Sequence, residues 1–221
     1  TMEQFFSLFD KYHNDVILKP LRGARGIGVA RIFLKDGQYV VNASNQKFFL
    51  NTVEDFSNFY NEHFTQRKHI LQPYITSQTI QGNPFDIRIH ARRGAGGRFK
   101  LSPFPRIGNA AGVVSNIATG GYSMNFDTFL KVNFGKDWEM IYNKIMRFGK
   151  TFPEYYQSFF PMTIFDVGVD MGIQKRGDSY DFKIFEVNTY IDGPFFEIED
   201  AITHFEYFRY IEHKLRAGEL K

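Results

Sequence analysis

Residues 166–188 read D-V-G-V-D-M-G-I-Q-K-R-G-D-S-Y-D-F-K-I-F-E-V-N, and the rest of the chain is organised around them. From Thr163 to Ile173 apolar residues alternate with small or acidic ones. Lys175 to Asp178 has turn composition, and Phe182 to Val187 is apolar again. The pattern predicts a β-hairpin. Residues of one parity share a face of a strand. Asp166, Gly168, Asp170 and Gly172 then face one way, and Val167, Val169, Met171 and Ile173 the other. On the returning strand Glu186 and Asn188 share a face, with Val187 turned to the core. Antiparallel pairing could bring Asp170, Glu186 and Asn188 together. Two carboxylates and an amide oxygen are hard ligands that suit magnesium rather than zinc. Magnesium usually completes its shell with substrate phosphate, so a phosphate cradle is the feature to seek next. The alternative is a hairpin with a solvated acidic face.

The 221 residues suffice for one large domain or two small lobes with a substantial core. Hydrophobic residues make up 43% and charged residues 23%, the balance of an ordinary globular protein. The 26 Phe and 12 Tyr predict a large aromatic core. A net charge of +3 is too small to imply nucleic acid. There is no Cys, which excludes disulfides and thiolate chemistry and fits a reducing, cytoplasmic setting. No apolar run approaches the roughly 18 residues of a membrane span.

The cradle is sought near the start. Residues 2–12 carry Phe5, Phe6, Leu8, Phe9 and Tyr12 at helical spacing. Val16-Ile17-Leu18 reads as a buried strand running into Lys19-Pro20. Leu21-Arg22-Gly23-Ala24-Arg25-Gly26-Ile27-Gly28 follows, with three glycines in six residues. Ile27 to Leu34 resumes a strand, Asp36-Gly37 is a hairpin turn, and Gln38 to Asn42 returns. A lysine before a glycine loop between two strands makes a flap whose amides and ammonium can face phosphates. The spacing is neither the P-loop nor the dinucleotide fingerprint. A plain glycine hairpin is the alternative.

Thr52 to Phe64 is predicted as a helix capped by Thr52. His69 to Gln72 is a short strand whose regular pairing Pro73 is expected to break. Gln72-Pro73-Tyr74-Ile75 then becomes a hinge-like crossing whose backbone groups can hold a purine edge, or a loop that merely joins two lobes. Pro84 to Ala91 alternates, with Phe85, Ile87 and Ile89 opposite Asp86, Arg88 and His90. Arg92, Arg93, Arg98 and Lys100 flank the turn at Gly94–Gly97 and read as a solvated hairpin end in preference to an RNA-contacting tip. Arg106-Ile107-Gly108 leads through Ser115-Asn116 to a second glycine loop at Gly120-Gly121. Residues 126–131 are weakly patterned. Asp137 to Phe160 reads as a long helix that Pro153 ends or kinks, and Glu199 to Lys214 as a terminal helix.

Six pieces in this order resemble the ATP-grasp superfamily: V-I-L-K-P-L-R-G-A-R-G-I-G-V, L-Q-P-Y-I, P-F-D-I-R, R-I-G…S-N…G-G, V-G-V-D and E-V-N. They span about 170 residues. The F-D-I-R and S-N-x-x-x-G-G pieces look most like the branch that includes spore-coat-associated ATP-grasp proteins. They are also similar to glutathione synthetase and to the glutamate-adding ligase of a ribosomal protein. The resemblance implies an α+β fold of two lobes, with ATP clamped between antiparallel sheets. The small lobe would span 1–72 with the flap, and the large lobe 73–221 with the metal site. By resemblance Lys19 contacts the α/β phosphates under Gly23, Gly26 and Gly28, and Gln72, Pro73, Tyr74 and Ile75 hold adenine. Asp86 binds the ribose and Arg88 lies nearer the phosphates. Arg106, Asn116, Gly120 and Gly121 face the γ-phosphate and the acceptor. Asp170, Glu186 and Asn188 hold magnesium, with manganese as the alternative.

The implied reaction joins a small-molecule or peptide carboxylate to an amine through an acyl phosphate. Charge stabilisation and alignment are its chief demands, and magnesium, Lys19, Arg88 and Arg106 would meet them. Two departures bear on it. Eighteen residues precede Lys19, too few for the earlier lysine and the substrate-binding lobe that the family carries. The chain is therefore expected to be a fragment, a minimal enzyme, or a domain that meets its substrate through an N-terminal domain or partner chain. Thr189 to Pro194 replaces the proline and glycine that usually follow E-x-N closely. The competing readings are a kinase-like phosphotransferase and a non-catalytic nucleotide-binding or spore-structural module; nucleic-acid and membrane partners are not expected.

Overall fold

The computed structural model describes residues 1–23, 26–43, 46–109, 120–189 and 197–219. These divide into two compact units. The first comprises Thr1–Phe85, Arg106–Tyr122 and Ile173–Asp181; the second comprises Asp86–Pro105, Ser123–Gly172 and Phe182–Lys221. The strand that ends at Pro73 pairs with the strand that carries Lys19.

The first unit is built on a five-stranded antiparallel sheet in the order β4-β3-β2-β1-β5. Its strands are β1 (Asp15–Pro20), β2 (Ala30–Lys35), β3 (Gln38–Ala43), β4 (Gln46–Leu50) and β5 (His69–Pro73). Helices α1 (Met2–Lys11) and α2 (Val53–Phe64) supply Phe5, Phe9, Phe56 and Phe64 to a core shared with Val16, Leu18, Ala30, Ile32 and Val41. Strand alternation explains the choice: even positions of β1 and β2 are apolar and turn toward the helices. Aromatic rings pack closely in this core, with Phe56 5.0 Å from Phe5 and 4.9 Å from Tyr39 between ring centroids. Asp36 and Gly37 both have positive φ, the requirement of a tight hairpin turn between β2 and β3.

Thr52 caps α2 as expected. Its hydroxyl accepts from Asp55 N at 3.0 Å, and Asp55 Oδ2 accepts from Thr52 N at 3.0 Å. Thr52→Ala removes one half of this reciprocal pair. It is expected to lower stability by ~1 kcal/mol, read as an earlier urea midpoint at constant m-value.

The pairing expected to fail at Pro73 continues instead. Val16 pairs with Pro73, and Tyr74 N donates to Asp15 O at 3.0 Å. The reason is position: β5 lies at an edge of the sheet, where a missing N–H breaks no second ladder. Strand β4 was not anticipated, because Q-K-F-F-L alternates poorly.

The second sheet has the order β7-β6-β8-β9. Its strands are β6 (Phe85–Arg93), β7 (Phe99–Ile107), β8 (Asp166–Arg176) and β9 (Ser179–Asn188). Edge strand β7 tolerates Pro103 and Pro105. Helices α3 (Phe126–Phe134), α4 (Trp138–Gln157) and α5 (Glu197–Arg216) complete the element order. The packing of α4 on the sheet is close: a Cβ at Gly149 would lie 3.0 Å from Leu101 and 3.4 Å from Ile89. Pro153 does not end α4, which continues to Gln157 with Pro153 buried. Residues 126–131 are only weakly patterned, yet Asn125 caps helix α3 by accepting from Thr128 N at 3.0 Å, and Phe126, Phe129 and Leu130 form its buried side.

The arginines near the β6–β7 turn are not a solvated hairpin end. Arg92 is buried and bonds Asp200 and His90, with Asp166 at 3.4 Å. Arg93 is buried too, donating to Ile164 O at 2.8 Å and Gly97 O at 2.6 Å and lying 4.1 Å over the Phe99 ring. Burial pushes the Asp200 carboxyl up, against the pull of Arg92. Only Arg98 and Lys100 of the four are exposed.

Candidate functional site

Register fixes what the first sheet shows on the face away from its helices. Ile17 pairs with Arg31 on one side and Gln72 on the other, and Arg31 pairs with Asn42. Directly paired residues share a face, so Asn42, Arg31, Ile17 and Gln72 form one row. Lys19, two residues along β1, and Tyr74, two residues beyond Gln72, lie on the same face. Three residues singled out in the sequence are thus gathered on one surface of the first unit. Asn42 adds a buried side-chain oxygen without a hydrogen-bond partner among the described residues.

The ladder also determines which backbone groups of β5 are available. Tyr74 N and, by alternation, Gln72 point into the pairing with β1. Leu71 and the Pro73 carbonyl therefore face the outer edge. Ile75 O accepts from Ser77 N at 2.9 Å.

The glycine loop after Lys19 turns back over Pro20. Gly28 has φ +78°, and a Cβ there would meet Pro20 Cγ at 3.0 Å, so a side chain is excluded on both counts. Gly26 likewise has positive φ, whereas a Cβ on Gly23 makes only ordinary contact. Arg106 ends β7 beside Ile107, which pairs with Tyr122. Gly120 and Gly121 immediately precede that bridge, while Asn116 lies outside the described residues.

In the second unit a polar row runs along the β6–β8 ladder. Arg88 pairs with Asp170, His90 with Gly168, and Arg92 with Asp166. The side chains of Arg88 and Asp170 are only 12% and 7% exposed and form a two-pronged ion pair, Nη2 to Oδ2 at 2.8 Å with Nε to Oδ1 as the second contact. The fork geometry fits a carboxylate closely and holds the guanidinium plane fixed. Asp86 is buried at the start of the same strand. At the far end His204 Nε2 lies 3.2 Å from Asp166 Oδ1.

Residues 1–210 match the family described as YheC/D like ATP-grasp. The chain belongs to that ATP-grasp family. It is similar to the endospore coat-associated protein YheC of Bacillus subtilis (strain 168), with 26% identity over 181 residues, 79% of this chain and 49% of that protein. The chain thus spans about half the length of the curated relative it matches. Among solved structures it is similar to the C-terminal domain of K. lactis Pby1, described as an ATP-grasp enzyme interacting with the mRNA decapping enzyme Dcp2. That likeness has 15% identity and a TM-score of 0.45, covering 86% of this chain and 54% of that one.

ATP-grasp membership makes magnesium a question for the donor set. The chemistry fits: Asp170, Glu186 and Asn188 offer hard oxygens. The hairpin turns through two residues, Gly177 at φ +56° and Asp178, and Ser179 Oγ donates to Arg176 O at 3.0 Å. Loop length sets register, and one residue of shift exchanges the faces. Here a Cβ on Gly172 would overlap the Phe185 ring, so Phe185 stands on the face that carries Asp170. Asp170 is held by Arg88 on that face; with Glu186 and Asn188 it would hold magnesium, which would neutralise phosphate charge.

The sequence reading of this ATP-grasp chain missed the Asp15–Arg31–Tyr74 cluster, in which Arg31 donates to Asp15 and lies over the Tyr74 ring. Position 31 falls within the alternation of β2, and only the pairing of three strands reveals its partners.

Proposed function

We propose that this chain binds ATP on the face of its five-stranded sheet that lies away from its two helices and activates a carboxylate for attack by an amine. The observation that carries the reading is the gathering of Lys19, Gln72 and Tyr74 on one face of the first unit. Membership of the ATP-grasp family supports ATP dependence; the carboxylate–amine reaction is the finer proposal.

The residues divide the work by chemistry. Lys19 neutralises the non-reacting phosphates, and glycines at 26 and 28 let backbone amides approach them. The outer edge of β5, at Leu71 and Pro73, offers backbone groups to the purine. Asp86 is assigned to the ribose hydroxyls. Arg88, held flat by Asp170, stabilises charge on the transferred phosphoryl group. The substrate carboxylate attacks the γ-phosphorus, forming a C(O)O–P bond and releasing ADP. The amine then adds to the acyl carbon, and the tetrahedral intermediate expels inorganic phosphate while the nitrogen loses its proton to solvent. Arg106, Asn116, Gly120 and Gly121 are assigned to the acceptor end. No nucleophilic side chain is required, in keeping with a chain that has no Cys. The description of the curated relative as endospore coat-associated supports a spore-coat setting for this chain. No helix among the described residues is long and apolar enough to cross a membrane.

Incubation with ATP, a panel of amino-acid and peptide carboxylates, and hydroxylamine tests the reaction. The expected products are ADP, phosphate and a hydroxamate in equal amounts. A stable phosphorylated acceptor with no hydroxamate would replace ligation with phosphotransfer. Binding of ATP without product across the panel would favour a non-catalytic module.

A further inference from the structure

Arg31 carries an inference that deepens the nucleotide reading and rests on it. Its Nε and Nη2 donate to Asp15 Oδ1 and Oδ2 at 2.9 and 2.7 Å. Its Cζ lies 3.6 Å from the centroid of the Tyr74 ring and 4.5 Å from that of Phe33. Asp15 also accepts the Tyr74 N–H through its main-chain oxygen at 3.0 Å. One residue of β1 thus holds both the backbone of Tyr74 and the cation that covers its ring. Burial works against the Arg31 charge, and Asp15 together with Tyr74 outweighs it, keeping the guanidinium above its ordinary pKa. The pair is part-exposed, at 26% and 33%, and such pairs contribute little to global stability. Its place is more telling: it sits on the face that carries Lys19 and Gln72, at the end of the segment assigned to the purine.

We propose that Arg31 is a positioning residue for recognition of the nucleoside. It fixes the Tyr74 ring and sets the 72–75 segment for a purine, and it does not act on the phosphates. Ordering this segment before binding removes an entropic cost from the nucleoside half of the ligand alone.

The test separates the two halves by titrating a non-hydrolysable ATP analogue and inorganic tripolyphosphate into the same proteins. Arg31→Met keeps a long side chain over the ring but cannot hold Asp15. It is expected to weaken the analogue about tenfold and to leave tripolyphosphate within about twofold. Asp15→Asn is expected to give the same selective loss, so the result does not depend on one variant folding. Arg31→Lys restores the charge without the fork and should recover part of the affinity. Wild-type binding of the analogue with no change in Arg31→Met or Asp15→Asn overturns the inference and leaves the nucleotide reading standing. Equal weakening of both ligands also overturns it, since a phosphate or general structural role acts that way. A folded wild type that binds tripolyphosphate but not the analogue overturns the nucleotide reading and the inference with it.

Discussion

Asp170→Asn is expected to stop turnover while leaving a folded protein less stable by ~2–4 kcal/mol. The size follows from burial. Arg88 and Asp170 face each other across the β6–β8 ladder with side chains only 12% and 7% exposed. Removing one partner of such a pair leaves a buried charge uncompensated, which costs ~3–5 kcal/mol when nothing replaces it. Asparagine retains the shape and one acceptor oxygen, which puts the expected loss toward the lower end. The kinetic effect should exceed the effect on stability. An Arg88 guanidinium no longer held in plane by two oxygens cannot present a fixed fork to the phosphoryl group. Asp166→Asn provides the comparison. It lies in the same row, but Arg92 retains Asp200 and His90 as partners, so the loss should be smaller. Urea denaturation gives the stability of each variant, and ADP release under saturating substrates gives the turnover. Equal, small effects in both variants would remove Arg88 and Asp170 from the reaction.

Lys19→Ala is the second variant with a large expected effect. Lys19 lies in β1, half-buried, on the sheet face that carries Gln72 and Tyr74. A charge-assisted bond from an ammonium to phosphate contributes ~1.5–3 kcal/mol, so affinity for ATP should fall by about 10- to 150-fold. Adenosine, which has no phosphate, should bind both proteins alike. The even positions Val16 and Leu18, not Lys19, pack into the core, so the melting temperature should move little. Adenosine and ATP weakening together would place Lys19 in the fold rather than at the phosphates.

The sequence was most legible where the chemistry is local. Thr52 announces α2 because its hydroxyl and the Asp55 carboxylate cap each other over three residues. Asp36-Gly37 announces its hairpin because both residues accept positive φ. The parity of the 166–172 stretch correctly set Asp166 and Asp170 in one row, which strand β6 meets with Arg92 and Arg88. What stayed hidden depends on register and edges. Nothing in Q-P-Y-I says that β5 is an edge strand, so Pro73 looked like a break. Whether Phe185 shares the face of Asp170 depends on whether the turn uses two residues or three, and K-R-G-D-S permits either. Arg92 and Arg93 looked solvated because the carboxylates they meet, Asp200 and Glu154, are distant in sequence.

The central claim is that the face of the five-stranded sheet carrying Lys19 and Gln72 binds ATP. Isothermal titration of a non-hydrolysable ATP analogue into the folded wild-type chain, at constant magnesium, tests it most directly. The account predicts saturable binding at one site per chain, with an ordinary pyrimidine triphosphate bound much more weakly because the 72–75 segment is set for a purine. No saturable heat from a protein shown to be folded, or equal affinity for both nucleotides, would contradict it.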